Sequence, residues 1–150
     1  MFAIVPLLSE RVVLRLDEEK FETKADHWRA IAVEAIKQCG SAWLPRVEPP
    51  TPFRTLLSRV DKFDLTLIAS LQPGSRHPRA WFNAFQHERK QMPRSVCLWV
   101  GPEGDFTPEE VMAAESAGAR PITLGRLVLR SETAALYSLS VVNYELQYGS

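Results

Sequence analysis

From Ser95 the chain reads as a hydrophobic strand, Ser95 to Val100, that runs without a break into Gly101-Pro102-Glu103-Gly104-Asp105-Phe106 and then Thr107-Pro108-Glu109-Glu110. No other stretch constrains the fold as much. Thr107 is placed to cap a helix, Pro108 suits its first position, where the missing N–H would have no partner, and Glu110 can reach back to the cap's backbone N–H. Gly118 is placed to end that helix. A strand that turns directly into a capped helix is half of a βαβ unit.

The rest of the chain repeats this alternation. Phe2 to Leu8 is an apolar run expected as a buried strand, followed by a charged connection from Glu10 to Lys24. Trp28, Ile31, Ala32, Ala35 and Ile36 recur at the spacing of an amphipathic helix, with Asp26 as its cap and Gly40 as its end. Trp43 to Val47 reads as a short strand, Glu48 to Pro52 as a proline-rich connector, and Phe53 to Arg59 as a short helix. Leu65 to Leu71 reads as a buried strand, and a helix is expected from Trp81 to Lys90. Pro121 to Gly125 is a further strand, Arg126 to Arg130 a loop, and Ser131 can cap a last helix through about Glu145. The expected class is α/β, a mostly parallel sheet with flanking helices.

Composition excludes several functions. The 150 residues are 45% hydrophobic, enough for a core without disulfide or metal staples, and 18 basic residues balance 18 acidic ones. RNA binding would have to come from local clustering of charge. The two cysteines, Cys39 and Cys97, stand in apolar stretches without a C-x-x-C spacing and read as buried reduced thiols. His27, His77 and His87 have no metal-ligand spacing, so no metal is expected. No run reaches the roughly 18 apolar residues of a membrane span, and the start of the chain lacks the basic region of a signal peptide. A cytoplasmic protein is expected. Trp28, Trp43, Trp81 and Trp99 sit in apolar contexts and read as core.

In open parallel sheets ligands bind beyond the carboxyl ends of the strands. Three such ends carry suitable chemistry: Ser70-Leu71, Gly101 to Gly104, and Leu124-Gly125 with the loop behind it. The glycines allow close backbone approach, and the helix start at Thr107 favours an anion. The tetrapeptide is neither a P-loop nor a G-x-G-x-x-G fingerprint, and as geometry alone it is a strand-to-helix turn. The run from Leu124 to Ala134 sets Arg126, Arg130, Glu132 and Thr133 beside an apolar loop.

These residues resemble a known family. Gly101-Pro102-Glu103-Gly104-Asp105-Phe106-Thr107 with a following glutamate, then Leu124-Gly125 and Leu129-Arg130-Ser131-Glu132-Thr133-Ala134, are similar to the signature G-P-E-G-G-[FW]-[ST]…E…L-G…L-R…E-T-A of the ribosomal RNA small subunit methyltransferase E family, within the SPOUT class. Ile4-Val5-Pro6, Ser9-Glu10-Arg11 and Trp28…Ile31…Glu34-Ala35…Gln38 extend the resemblance over nearly the whole chain.

The resemblance implies a carboxy-terminal trefoil knot spanning about residues 95–150, S-adenosylmethionine as cofactor, a homodimer, and methylation of N3 of a uridine in small-subunit ribosomal RNA. It places Ser70, Leu71, Gly101, Glu103, Gly104, Leu124, Gly125, Leu129 and Ala134 at the cofactor and Arg130 and Glu132 in the catalytic neighbourhood. An alternative is a cofactor-binding, dimer-forming knot domain without catalysis, and a generic nucleotide-binding protein is a third reading.

Three departures from the family pattern stand out. Asp105 replaces a glycine, Leu127 replaces an arginine for which Arg126 is the nearest substitute, and the arginine expected near Ser41 or Trp43 is missing. The family also carries a barrel-shaped RNA-binding domain and the first strand and helix of the methyltransferase domain before the Ile-x-Pro segment. The sequence here starts just before that segment, so residues 1–150 are expected to form one methyltransferase domain shortened at its amino end.

Overall fold

The structure is a computed structural model that describes residues 2–12 and 18–148. The described residues fall into two compact units, one within residues 1–8 and 12–53, the other within residues 9–11 and 54–150.

In the first unit, strand β1 (Ala3–Ile4) pairs in parallel with β3 (Arg46–Val47), and β2 (Leu7–Leu8) with β4 (Thr51–Pro52). The expected single strand from Phe2 to Leu8 is thus two short ones. Pro6 has no N–H to continue a ladder, although its carbonyl still accepts from Thr51 N (2.8 Å). The connector expected at Glu48 to Pro52 pairs at its end, and the strand expected from Trp43 shrinks to two residues.

Helix α1 (Glu18–Cys39) starts well before Asp26. The sequence from Glu18 to Lys24 contains neither glycine nor proline and is dominated by helix-forming Glu and Lys, with acidic residues at the positive end of the helix. Asp26 lies inside and its carboxylate accepts from Arg29 (2.7 Å). Gly40 ends the helix at φ +69. Only part of the apolar stripe is core: Ala32 is buried, as is Ala25 ahead of the stripe, whereas Ile31 is exposed. Trp28, Ile31, Ile4 and Val47 line an apolar groove of about 590 Å³. Trp43 also borders it and is 80% exposed, so it is not a core residue, and Cys39 is exposed as well.

In the second unit, β5 (Leu65–Ala69), β6 (Val96–Trp99) and β7 (Arg120–Ile122) make a parallel sheet in the order β6-β5-β7. All five residues of β5 are buried, the expected pattern for a central strand covered on both faces. Leu65, Leu67 and Ala69 point to one face and pack with Phe82 and Ile122, joined by Trp81, Val142 and Leu146. On the other face Thr66 donates through Oγ1 to Val60 O (3.1 Å).

Helix α2 (Phe53–Leu57) precedes β5, and α3 (Pro78–Arg89) starts earlier than expected because Pro78 fits a first turn that His77 caps through Nδ1. Trp81 donates through Nε1 to Pro121 O (2.9 Å) and carries the guanidinium groups of Arg76 and Arg120 near its ring. Helix α4 (Pro108–Ser116) has the expected capping box, and α5 (Ser131–Tyr148) runs three residues beyond Glu145, no breaker intervening before Gly149.

Two connections decide where a ligand can bind. From β5 the chain passes through α3 to β6 on one side, then through α4 to β7 on the other. The crossovers therefore diverge around β5, and because every pairing is parallel, all three strands end at the same edge. That is a topological switch point, where a crevice opens between diverging loops.

Candidate functional site

Each of the three strands delivers one loop to this edge. After β5, Ser70 continues the ladder by donating from N to Ile122 O (3.0 Å), and Leu71 is left 58% exposed. After β6, residues 101–105 form a tight turn closed by Asp105 N donating to Pro102 O (3.1 Å), with Gly104 at φ +90 and Asp105 at φ +66. Gly101 has no side chain because Phe106, fully buried, packs beneath it. A Cβ there would lie 3.2 Å from the Phe106 ring. After β7 the backbone leaves the sheet at Thr123, earlier than expected, and Gly125 adopts φ +120, a conformation side chains resist.

Specific bonds hold the loops together. The Asp105 carboxylate accepts through Oδ2 from Leu71 N (2.8 Å) and Ser70 Oγ (3.4 Å), tying the first loop to the second. Ser131 donates through Oγ to Gly101 O (2.9 Å), tying the second loop to the start of α5. Ser131 is thus the first residue of α5, and its hydroxyl bridges two loops instead of capping the helix as expected. Arg11 donates from Nη1 to Gly104 O, and beside it Glu10 N donates to Glu110 Oε1 (2.9 Å). The other Glu110 oxygen accepts from Thr107 N (3.0 Å), and Thr107 Oγ1 accepts from Glu110 N (3.2 Å).

The loops enclose a cavity of about 320 Å³, within the usual size of small-molecule clefts, about 300–1,000 Å³. Ser70, Leu71, Gly101, Glu103, Gly104, Leu124, Gly125, Leu129, Arg130 and Ala134 all line it. Glu132 does not, and stands exposed in the first turn of α5. Nor does Arg126, the nearest substitute for the family arginine. Leu127 borders the cavity instead and, with Val128, forms an apolar rim at 77% and 75% exposure.

Sequence reasoning missed Asp105 and Ser131 as cavity residues. A non-glycine in a turn that calls for positive φ was the available signal for Asp105. For Ser131, the competing role of helix cap hid the contact. Among the described residues no cluster of side chains suits a metal ion, and no helix is long and apolar enough to cross a membrane.

A parallel α/β unit with a lined cleft at its switch point defines a small-ligand-binding domain of the kind that carries cofactor chemistry. More specifically, the chain belongs to the RNA methyltransferase domain family, whose model matches residues 1–143. It is 32% identical over 147 residues to the ribosomal RNA small subunit methyltransferase E of Bacillus subtilis, covering 97% of this chain and 56% of that protein. The corresponding protein of Synechocystis is 31% identical over 146 residues, 97% of this chain and 45% of its own length.

Among solved structures, a putative methyltransferase from Legionella pneumophila in complex with bound cofactor SAM superposes with a TM-score of 0.84 at 34% identity, covering 95% of this chain and 55% of that one. The ribosomal RNA small subunit methyltransferase E of Neisseria gonorrhoeae, bound to S-adenosyl methionine, has a TM-score of 0.78 at 26% identity, covering 95% and 54%. The chain thus spans about half the length of the relatives it matches.

Proposed function

We propose that this chain is a methyltransferase domain that binds S-adenosylmethionine at the switch-point cavity and methylates N3 of a uridine in small-subunit ribosomal RNA, in the cytoplasm and as a homodimer. The observation that carries this reading is the convergence of the turns around residues 71, 104, 125 and 129 on one cavity, in a chain whose relatives are named ribosomal RNA small subunit methyltransferases and whose solved neighbours include methyltransferases with SAM bound.

The lining residues fit the cofactor. Leu71, Leu124 and Leu129 offer aliphatic surface for a purine, and the glycine turns leave backbone groups within reach of its edge. Glu103 and Asp105 supply negative charge for a ligand with a sulfonium and an ammonium. The cofactor, when bound, brings a methyl group already activated by the sulfonium. What remains for the chain is to place the acceptor nitrogen and exclude water. Leu127 and Val128 supply the apolar rim for that exclusion. Arg130, exposed at the cavity edge, stabilises the anionic uracil ring formed as the N3 proton passes to solvent. Glu132, outside the cavity, complements the positive end of α5.

Two further elements of the reading have their own support. A run of exposed apolar residues on α5, Leu136, Tyr137, Leu139 and Tyr144, is consistent with a dimer face. A trefoil knot over residues 95–150 belongs to the same reading, and the Ser131 to Gly101 bond, which sets the last helix against the glycine turn, is compatible with it.

Calorimetric titration with S-adenosylmethionine and transfer of labelled methyl groups to small-subunit ribosomal RNA test the proposal. One cofactor per chain and a product mapped to uridine N3 are expected. No binding at millimolar cofactor overturns the reading, and normal binding with no transfer favours the non-catalytic alternative.

A further inference from the structure

Asp105 is the one cavity residue that is both acidic and conformationally costly. At φ +66 it occupies the left-handed region directly after Gly104, itself at φ +90, and a residue other than glycine there costs on the order of 1 kcal/mol. Glycine would satisfy the turn without that cost, so the side chain must do something the backbone cannot. Its hydrogen bonds account for one oxygen only. Oδ2 accepts from Leu71 N and Ser70 Oγ, whereas Oδ1 accepts no hydrogen bond among the described residues. The residue is half-buried and lines the cavity between the two loops it joins.

Other charges on the wall do not duplicate it. Glu103 lines the cavity too but is exposed, and Arg130 is exposed on the loop after β7. Arg11, from a distant part of the chain, donates to the Gly104 carbonyl of this turn. Asp105 is therefore a fixed negative charge, oriented by two hydrogen bonds and partly shielded from water, so its field inside the cavity is stronger than that of a free surface carboxylate.

We infer that Asp105 is a specificity-determining residue that makes the cavity prefer the cationic sulfonium form of the ligand over the neutral thioether left after methyl transfer. This rests on the proposed S-adenosylmethionine site. The physical basis is differential: the two ligands share the purine, the ribose and the amino-acid end, so contacts made to those parts cancel between them. They differ in the sulfonium charge and the methyl group that goes with it, and a carboxylate held in the cavity wall responds to that charge over a longer range than any neutral group does.

The test is calorimetry of the full chain with S-adenosylmethionine and, separately, S-adenosylhomocysteine. Asp105→Asn keeps an oxygen that can accept from Leu71 N and removes the charge. The variant should lower the preference for the sulfonium ligand about fivefold, the factor a partly solvated charge pair supports, while changing affinity for the thioether less than about twofold. A merely structural role would weaken both ligands together and leave their ratio alone. In the unmodified protein the preference should also shrink as salt is raised, a readout that does not depend on the variant folding. An unchanged ratio in the variant, or a preference insensitive to salt in the unmodified protein, overturns the inference while leaving the cofactor site standing. Binding of neither ligand by the unmodified protein overturns both.

Discussion

Glu110 links the stability of the second unit to the shape of its cavity. The residue is 9% exposed, and its two carboxylate oxygens accept from two backbone N–H groups, Thr107 N at 3.0 Å and Glu10 N at 2.9 Å. Replacing it by alanine leaves both donors unpaired. A hydrogen bond to a charged group contributes about 1.5–3 kcal/mol, and water can reach part of the site, so Glu110→Ala should cost about 3 kcal/mol in all. For a chain of this size that corresponds to a melting temperature about 6–12 °C lower. Glu110→Gln keeps one carbonyl oxygen, sets an amide donor against the other N–H, and should lose roughly half as much. Thr107→Ala removes only the hydroxyl half of the capping box and should cost about 1 kcal/mol.

The consequence for binding follows from position. Glu10 precedes Arg11, whose guanidinium holds the Gly104 carbonyl, so loss of the Glu10 bond loosens the glycine turn. Cofactor affinity should fall in Glu110→Ala but hold in Thr107→Ala. Thermal unfolding followed by circular dichroism, with calorimetry for binding, measures both effects. A melting temperature for Glu110→Ala within about 2 °C of the unmodified protein would refute the reasoning.

Arg130→Ala should reduce methyl transfer far more than cofactor affinity, and equal losses in kinetic and calorimetric assays would show that it only supports the pocket wall. The Asp64 carboxyl is held below the usual carboxylate range by N–H groups of Arg94 and Ser95, at 2.7 and 3.1 Å. Because its folded value is depressed, the stability it contributes is present above the unfolded value and disappears as pH falls through the folded one. Urea midpoints of the unmodified protein and Asp64→Asn should therefore differ near neutral pH and converge in acid, whereas a gap that persists in acid would contradict this account. Burial pushes the Cys97 thiol above the usual thiol range, offset in part by the Trp99 indole N–H. Iodoacetamide should thus label exposed Cys39 quickly in the native protein and Cys97 only on unfolding, as read by mass spectrometry.

Local chemistry made much of this fold legible. The capping box at Thr107 appears residue for residue because its partners lie three positions apart and need nothing from elsewhere in the chain. The continuous apolar run of β5 is equally plain, since a strand covered on both faces admits no alternation. Boundaries failed where long-range partners decided them. Asp26 has the composition of a cap but lies inside α1, and Ser131 has the composition of a cap but bonds to a carbonyl 30 residues away. Cys39 and Trp43 looked like core from their apolar neighbours, yet both are exposed, because a local run cannot reveal whether another element covers it.

The amino-acid order alone therefore determined the α/β alternation, the helix starts built on short-range hydrogen bonds, and the glycine turns whose positive φ excludes most side chains. Only the tertiary structure decided the strand order β6-β5-β7, and with it the shared edge where the three loops meet. It also decided which charges face the cavity: Glu103, Asp105 and Arg130 do, and Glu132 does not. The reason is that strand pairing and loop convergence are set by contacts between residues far apart in the chain, whose proximity no local pattern encodes.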